Sequence, residues 1–147
     1  MHFRNNYAFL SNFYHAPIMF GTYRFPTAEN AYQAAKSMDP EEWYKLQLMR
    51  PDEAKRYGRT ITLRPRWDLL KLGAMTRIVT LKFESHPQLM DQLIATGDIP
   101  IIEDNYWNDT YWGVSRGIGH NYLGRILMDI RSLNSVEQKL GLSQTES

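Results

Sequence analysis

Residues 27–36 read Thr27-Ala28-Glu29-Asn30-Ala31-Tyr32-Gln33-Ala34-Ala35-Lys36, an alanine-rich run of high helix propensity. The Thr27 side chain can accept hydrogen bonds from the first free backbone N–H groups of a helix, so we expect the helix to begin near Ala28. With about 100° of rotation per residue, Glu29, Gln33 and Lys36 lie on one side, while the alanines let another element approach closely. This row of an acid, an amide and an amine predicts an active-site helix; the ordinary alternative is a solvated helix face.

The remaining sequence predicts a mainly α protein, α+β at most, that forms a single compact domain over residues 1–147. Alternation of apolar and polar residues around Gly21 predicts a short N-terminal β-hairpin over residues 17–25. Capping residues and apolar periodicity predict helices from Pro40 towards Arg50, Pro51 to Gly58, Arg66 to about Glu84 with its apolar face in the core, Pro87 to Ala95, and Asn121 to Leu133. Residues 99–102 suit a brief extended segment, and residues 135–147 are polar and expected to fray.

Composition excludes several classes of protein. The chain has no cysteine, which rules out a disulfide framework, a zinc ribbon and a thiol nucleophile. Its four histidines show no metal-ligand spacing, so we expect neither a metal nor a cofactor. No apolar run has the length of a membrane span, and the first residues lack the apolar stretch of a secretory signal. These features predict a cytoplasmic protein.

Charge is distributed unevenly although the net charge is only +1. Between Arg50 and Lys82 there are nine Lys or Arg residues against three acids, whereas residues 98–110 contain four acids and no base. The basic segment can hold phosphate, and Arg59 and Arg64 are the best candidates because they flank a β-branched run. The overall charge is too low to predict tight, sequence-independent binding of nucleic acid.

A second unusual stretch covers residues 105–114, Asn-Tyr-Trp-Asn-Asp-Thr-Tyr-Trp-Gly-Val. Four aromatic side chains and two amides surround the carboxylate of Asp109. Each ring taken alone is more often part of a core, but the combination indicates a surface on which a flat ligand stacks.

Several sequence blocks, taken in order, resemble the NADAR domain family, also called the YbiA-like family, over nearly the whole chain. The blocks are Phe9 to Tyr14, Pro26 to Lys36, Gly58-Arg59, Arg66-Trp67-Asp68, Lys82-Phe83, Ala95-Thr96-Gly97, Asn108 to Gly113 and Asn121 to Met128. One position departs from the family pattern: Asn30 stands where the family often carries His, which puts a second acid/base group there in doubt.

The resemblance implies cleavage of an N-glycosidic bond between a phosphorylated ribose and a nitrogenous ring. The leading substrates are small molecules, the ribosylaminopyrimidine phosphates of riboflavin biosynthesis. A second possibility is removal of ADP-ribose from guanine in nucleic acid. A third is a catalytically silent module that binds ADP-ribose. The sequence does not indicate an oligomeric state.

The resemblance also suggests roles for particular residues. It makes Glu29 the first choice for acid/base catalyst, and Asp109 a group that stabilises the developing cation or orients water. Trp67 and Trp112 match tryptophans that wall the family's site. Lys36 is a candidate nucleophile for a Schiff-base route if burial lowers its pKa, and Lys71 is considered with it. The candidate substrate-binding residues are Asn12, Phe13, Gln33, Arg59, Arg64, Trp67, Lys71, Trp112, Gly113 and Asn121. We expect Glu29, Lys36, Asp109 and Trp112 to converge in the folded protein.

Overall fold

The computed structural model of the protein describes residues 2–141, with the side chains of residues 137–139 left aside. Helices dominate this part of the chain, which confirms the predicted mainly α class. The α-helices are α1 (Ala28–Ala35), α2 (Pro40–Gln47), α3 (Pro51–Gly58), α4 (Trp67–Ser85), α5 (Pro87–Ala95) and α6 (Tyr122–Lys139), preceded by a 3-10 helix over Asn5–Leu10. The strands are β1 (Ile18–Phe20), β2 (Tyr23–Phe25), β3 (Asp104–Asn105) and β4 (Val114–Ser115).

The chain divides into two compact units. One is the continuous segment Ser11–His86, and the other combines residues 2–10 with residues 87–141. The single domain expected from the sequence stays a prediction. Among residues 2–141, no helix is both long enough and apolar enough to cross a membrane.

In the Ser11–His86 unit, β1 and β2 form the predicted antiparallel hairpin, with Ile18 opposite Phe25 and the turn at Gly21. The φ angle of Gly21 is 63°, a left-handed conformation in which a glycine has no steric cost. Trp43 of α2 packs on the hairpin, and its ring stacks on that of Phe20 with 5.6 Å between centroids. This aromatic cluster fixes α2 against the hairpin.

Helix α1 lies in the interior of the same unit and contacts α2, α3 and α4. It begins at Ala28 as predicted, because the Thr27 hydroxyl accepts a hydrogen bond from the Asn30 N–H. Every residue of α1 is buried, and the alanines allow the other helices to approach closely. The alternative of a solvated polar face is therefore wrong for Glu29 and Gln33.

Helix α4 is amphipathic only in its second half. Met75, Ile78, Val79 and Phe83 are buried as predicted, but the first turns expose their leucines, and Leu69 is 80% accessible. The expectation that the whole apolar pattern from residue 66 to residue 84 faces the core is thus wrong for its amino-terminal part. The helix begins at Trp67, after Arg66 has turned the chain with a φ of 64°.

In the second unit, α5 packs on α6, and β3 pairs in parallel with β4. Residues 99–102 connect these elements without forming a strand, although Ile101 is fully buried. Helix α6 continues to Lys139, six residues beyond the predicted end at Leu133. The predicted frayed tail thus overlaps this helix, and its residues 142–147 lie outside the described part of the chain.

Candidate active site

Glu29 and Gln33 form a buried polar pair on α1. Glu29 is only 8% exposed and Gln33 only 4%. Their i,i+4 spacing lets Gln33 Nε2 donate to Glu29 Oε2 over 2.5 Å. The backbone N–H of Glu29 donates to the carbonyl of Asn12 at 3.0 Å, which ties the start of the helix to the preceding turn. The carboxylate is therefore held in one orientation away from bulk water.

Lys36 follows directly after the last residue of α1, and its Nζ lies 5.7 Å from the centroid of the Tyr32 ring. Burial lowers the pKa of the Lys36 amine, Glu29 opposes this effect, and the nearby cations Arg59, Lys55 and Lys71 lower the pKa further. Like charges and partial dehydration both favour the neutral amine. This is the direction that a nucleophilic lysine requires.

The three cations that lower the pKa of Lys36 come from two helices. Lys55 and Arg59 come from α3 and its C-cap, and Lys71 comes from α4, where its Nζ lies 3.7 Å from Asp68. Arg59 is exposed, as an anion-binding side chain must be. Sequence analysis did not select Lys55, although its four-residue spacing from Arg59 was a usable signal.

Arg64 makes structural contacts that the sequence did not predict. Its Nε donates to the carbonyl of Ala35 at 2.7 Å, and its second terminal nitrogen donates to the carbonyl of Ser37 at 3.0 Å. Its backbone N–H donates to the carbonyl of Lys36 at 2.6 Å. These bonds satisfy free carbonyls at the end of α1. Arg64 thus supports the helix that carries Glu29 and Lys36, and Arg59 is the stronger phosphate candidate.

Trp67 is buried, and its ring lies 5.5 Å from that of Tyr32 between centroids. One side of Trp67 borders a mainly apolar cavity of about 360 Å³. The residues that line this cavity are Phe20, Ala35, Trp43, Arg64, Trp67, Leu69, Leu70, Gly73 and Ala74. Since Glu29 is not among these residues, we do not assign the cavity as the place of reaction.

The turn before α1 carries Asn12 and Phe13. The Asn12 side chain is buried, and its Nδ2 contacts Met75 Sδ at 3.4 Å, whereas Phe13 is 40% exposed. Lys82 lies beneath this turn, 1% exposed, and its Nζ donates to the carbonyl of Ser11 at 2.9 Å. The sequence placed Lys82 in a basic segment and gave no sign of its burial. Of Asn12 and Phe13, Phe13 is thus the one whose side chain is exposed.

Asn30 has a structural role. It is fully buried, and its Nδ2 donates to the carbonyls of Leu46 and Met49, each at 2.8 Å. The Thr27 hydroxyl donates to Asn30 Oδ1 at 2.5 Å. These bonds join α1 to the end of α2. These hydrogen bonds explain why an amide side chain stands at residue 30, and Asn30 has no part in acid/base chemistry.

Asp109 and Trp112 belong to the second unit, in the loop between β3 and β4. Asp109 Oδ1 accepts hydrogen bonds from the backbone N–H groups of Tyr111 and Trp112, at 3.2 and 2.9 Å. Asn105 holds the backbone of Asp109 from both sides, accepting from its N–H and donating to its carbonyl. Asp109 therefore orders the aromatic loop, which is a role that sequence analysis did not predict.

Gly113 and Asn121 also have structural contacts in this unit. A Cβ at Gly113 would overlap the side chain and backbone of Glu103, so a larger residue does not fit. Asn121 Nδ2 donates to the carbonyl of Ile101, and its Oδ1 accepts from the N–H of Glu103. Both polar atoms of the Asn121 side chain are thus engaged by backbone, which favours a structural role over substrate binding.

Among residues 2–141, no group of three or more His, Cys, Asp or Glu side chains could hold a metal ion.

Proteins of similar sequence indicate the class of reaction in which Glu29 and Lys36 could take part. The N-glycosidase YbiA of Escherichia coli is 35% identical over 140 residues, which cover 91% of this chain and 86% of that protein. The riboflavin biosynthesis protein PYRR of Zea mays is 35% identical over 124 residues, 75% of this chain but 20% of the maize protein.

The fold comparison agrees with these sequence matches. The NMR structure of the E. coli protein YbiA superimposes with a TM-score of 0.82 at 32% identity, covering 94% of this chain and 86% of that one. The NADAR domain profile matches residues 1–133, a range that includes α1 and the aromatic loop. With sequence, fold and profile in agreement over most of its length, the chain belongs to the NADAR domain family.

Proposed function

We propose that this protein is an N-glycosidase that hydrolyses the C–N bond between a phosphorylated ribose and a nitrogenous base. The substrates we propose are the ribosylaminopyrimidine phosphates of riboflavin biosynthesis. One observation carries the proposal: the buried Glu29 carboxylate is oriented by Gln33 and interacts electrostatically with Lys36, whose pKa burial lowers. The names of the relatives, N-glycosidase and riboflavin biosynthesis protein, support the reaction class and the substrate class. We also propose that the enzyme acts on these phosphorylated intermediates in the cytoplasm.

Glu29 supplies acid/base catalysis in this proposal. Cleavage of the ribosyl C–N bond leaves positive charge on C1′ and an electron pair on the departing nitrogen. A carboxylate beside C1′ stabilises the cation and removes a proton from the attacking water. The water oxygen then bonds to C1′, and the departing base takes up a proton. The products are ribose 5-phosphate and the free aminopyrimidine.

Lys36 offers a second route through the same site. A ribosylamine can open at C1′, and a neutral Lys36 amine can then attack that carbon, expel the base and form a Schiff base, which water releases. The lowered pKa of Lys36 supports this route because attack requires the unprotonated amine. Sodium borohydride reduces a Schiff base, so trapping distinguishes the two routes.

The remaining candidates bind the substrate. We propose that Arg59, Lys55 and Lys71 hold the 5-phosphate, because each of these charges is near enough to Lys36 to lower its pKa. Asp109 and Trp112 are proposed from the family motif, Asp109 to stabilise the cation and Trp112 to stack on the base. Trp67 is proposed as a second wall on the same ground.

The test measures release of ribose 5-phosphate and free base from a ribosylaminopyrimidine phosphate. We expect Glu29→Gln to lower kcat by about 10²–10⁴-fold, the usual contribution of a positioned acid or base. Glu84→Gln, which changes an exposed glutamate of α4 in the same way, is the matched control and should keep full activity. Equal activity of wild type and Glu29→Gln would refute the proposed role of Glu29.

The same assay includes the alternative substrate. DNA that carries ADP-ribose on guanine is incubated in parallel, because turnover of this substrate alone would replace the small-molecule proposal. Binding of ADP-ribose without turnover of either substrate would identify a non-catalytic binding module. Borohydride trapping is carried out on the wild type and on Lys36→Met. If the wild type forms a trapped adduct and Lys36→Met does not, the Schiff base is assigned to Lys36. If the wild type forms no adduct, the direct attack of water is the remaining route.

A further inference from the structure

The Gln33 carboxamide lies between two groups that fix its orientation. On one side its Nε2 donates to Glu29 Oε2. On the other side the carboxamide lies against Gly58, the last residue of α3, where a Cβ would overlap both Oε1 and Cδ of Gln33. Gly58 is in ordinary helical backbone, so its conformational freedom is not needed there. What the fold uses at residue 58 is the absence of a side chain.

The orientation of the amide follows from the charge on Glu29. Gln33 Oε1 is buried and has no hydrogen-bond partner among the described residues. If the carboxamide were turned over, this oxygen would face the Glu29 carboxylate, and two acceptors would repel each other. The observed orientation therefore gives the hydrogen bond to Glu29 Oε2 and leaves Gln33 Oε1 unpaired against Gly58.

We propose that Gln33 is a positioning residue, which holds the Glu29 carboxylate in its reactive direction, and that residue 58 is glycine because the Gln33 amide occupies the space of its side chain. This inference rests on the proposed function, and it replaces the predicted contact of Gln33 with substrate by an action through Glu29. A catalytic group must be held within about 0.5 Å of its productive position. A displacement of about 1 Å costs roughly 100-fold in rate.

Two variants disturb the arrangement from opposite sides. Gln33→Met keeps the length of the side chain and removes the donor, while Gly58→Ala pushes the amide away from its place. We expect each to lower kcat by about 10–100-fold and to change KM by less than about threefold, because the substrate is still bound. Gly73→Ala is the matched control, a helical glycine around which a Cβ meets no atom within 4 Å. A raised KM with unchanged kcat in Gln33→Met would overturn the proposal in favour of direct substrate binding.

A second measurement does not depend on activity. In ¹⁵N-labelled protein, the side-chain amide signals of Gln33 are assigned by their loss in Gln33→Met. We expect this amide to have a slow hydrogen-exchange rate and a downfield proton chemical shift. Gly58→Ala should change both quantities, and Gly73→Ala should change neither. Exchange as fast as that of an exposed amide would overturn the inference even if the enzyme is active. A protected amide in a wild type that releases no base from either substrate would overturn the proposed function, and the catalytic role of Gln33 with it.

Discussion

The pH dependence of stability should reveal the burial of Lys82, an amine that takes no part in the proposed chemistry. Burial lowers the pKa of Lys82 from 10.5 to about 7 in the folded protein. Its Nζ donates to the Ser11 carbonyl and lies 5.2 Å from the centroid of the Phe83 ring. The unfolded chain binds the proton far more strongly, so the proton couples folding to pH.

The sign follows from the two pKa values. Below about pH 7 the lysine is charged in both states, and the folded state carries the full cost of burying the charge. Between about pH 7 and 10.5 the unfolded state keeps the proton that the folded state has lost, so stability rises with pH. At about 1.4 kcal/mol per pH unit, and with only half of the folded lysines neutral at pH 7, the gain by pH 9 is about 2 kcal/mol.

Lys82→Met removes this titration and keeps an unbranched side chain of similar length. Urea unfolding of the wild type and the variant at several pH values gives the difference between their free energies of unfolding, in which the other titrating groups cancel. We expect this difference to shift by about 2 kcal/mol in favour of the wild type between about pH 7 and 9. Lys45→Met, at an exposed lysine of α2, should give a constant difference. A constant difference for Lys82→Met as well would show that the amine is hydrated in the folded protein.

Three further substitutions test the packing by thermal and urea unfolding. Gly73→Ala, in an exposed part of α4 with free space around it, should raise the free energy of unfolding by about 0.5–1 kcal/mol; a loss would contradict the open space. Asn30→His should lower it by at least about 2 kcal/mol, because an imidazole cannot donate to both carbonyls at the end of α2; an unchanged midpoint would refute this. Gly113→Ala should destabilise the β3–β4 loop by about 1–3 kcal/mol through overlap with Glu103, and full stability would show that the loop adapts.

Local features of the fold could be predicted because their causes lie within a few residues. The start of α1 follows from the Thr27 hydroxyl, and the start of α2 follows from Asp39, which accepts from the N–H of Glu41. The contact of Glu29 with Gln33 likewise follows from helical spacing alone. The starts of α1 and α2 therefore agree with the sequence patterns.

The burial of the site could not be predicted, because it depends on contacts between distant residues. Arg64 binds the carbonyl of Ala35, 29 residues away, and Lys82 binds that of Ser11, 71 residues away. A basic side chain in a sequence gives no sign of whether it binds phosphate, caps a helix or lies beneath a turn. The leucines at the start of α4 show the reverse case, since their apolar period predicts burial while Leu69 remains exposed.

The division of the chain into units has a consequence for its synthesis. Residues 11–86 form one continuous stretch, whereas the other unit needs residues 2–10 together with residues 87–141. Phe9 and Leu10 belong to the second unit and are buried in the folded protein. A ribosome adds about 5–20 residues per second, so synthesis of residues 87–141 takes roughly 3–11 seconds after residue 86 has been added. A nascent chain that stops at His86 carries the complete sequence of one unit and only the first residues of the other.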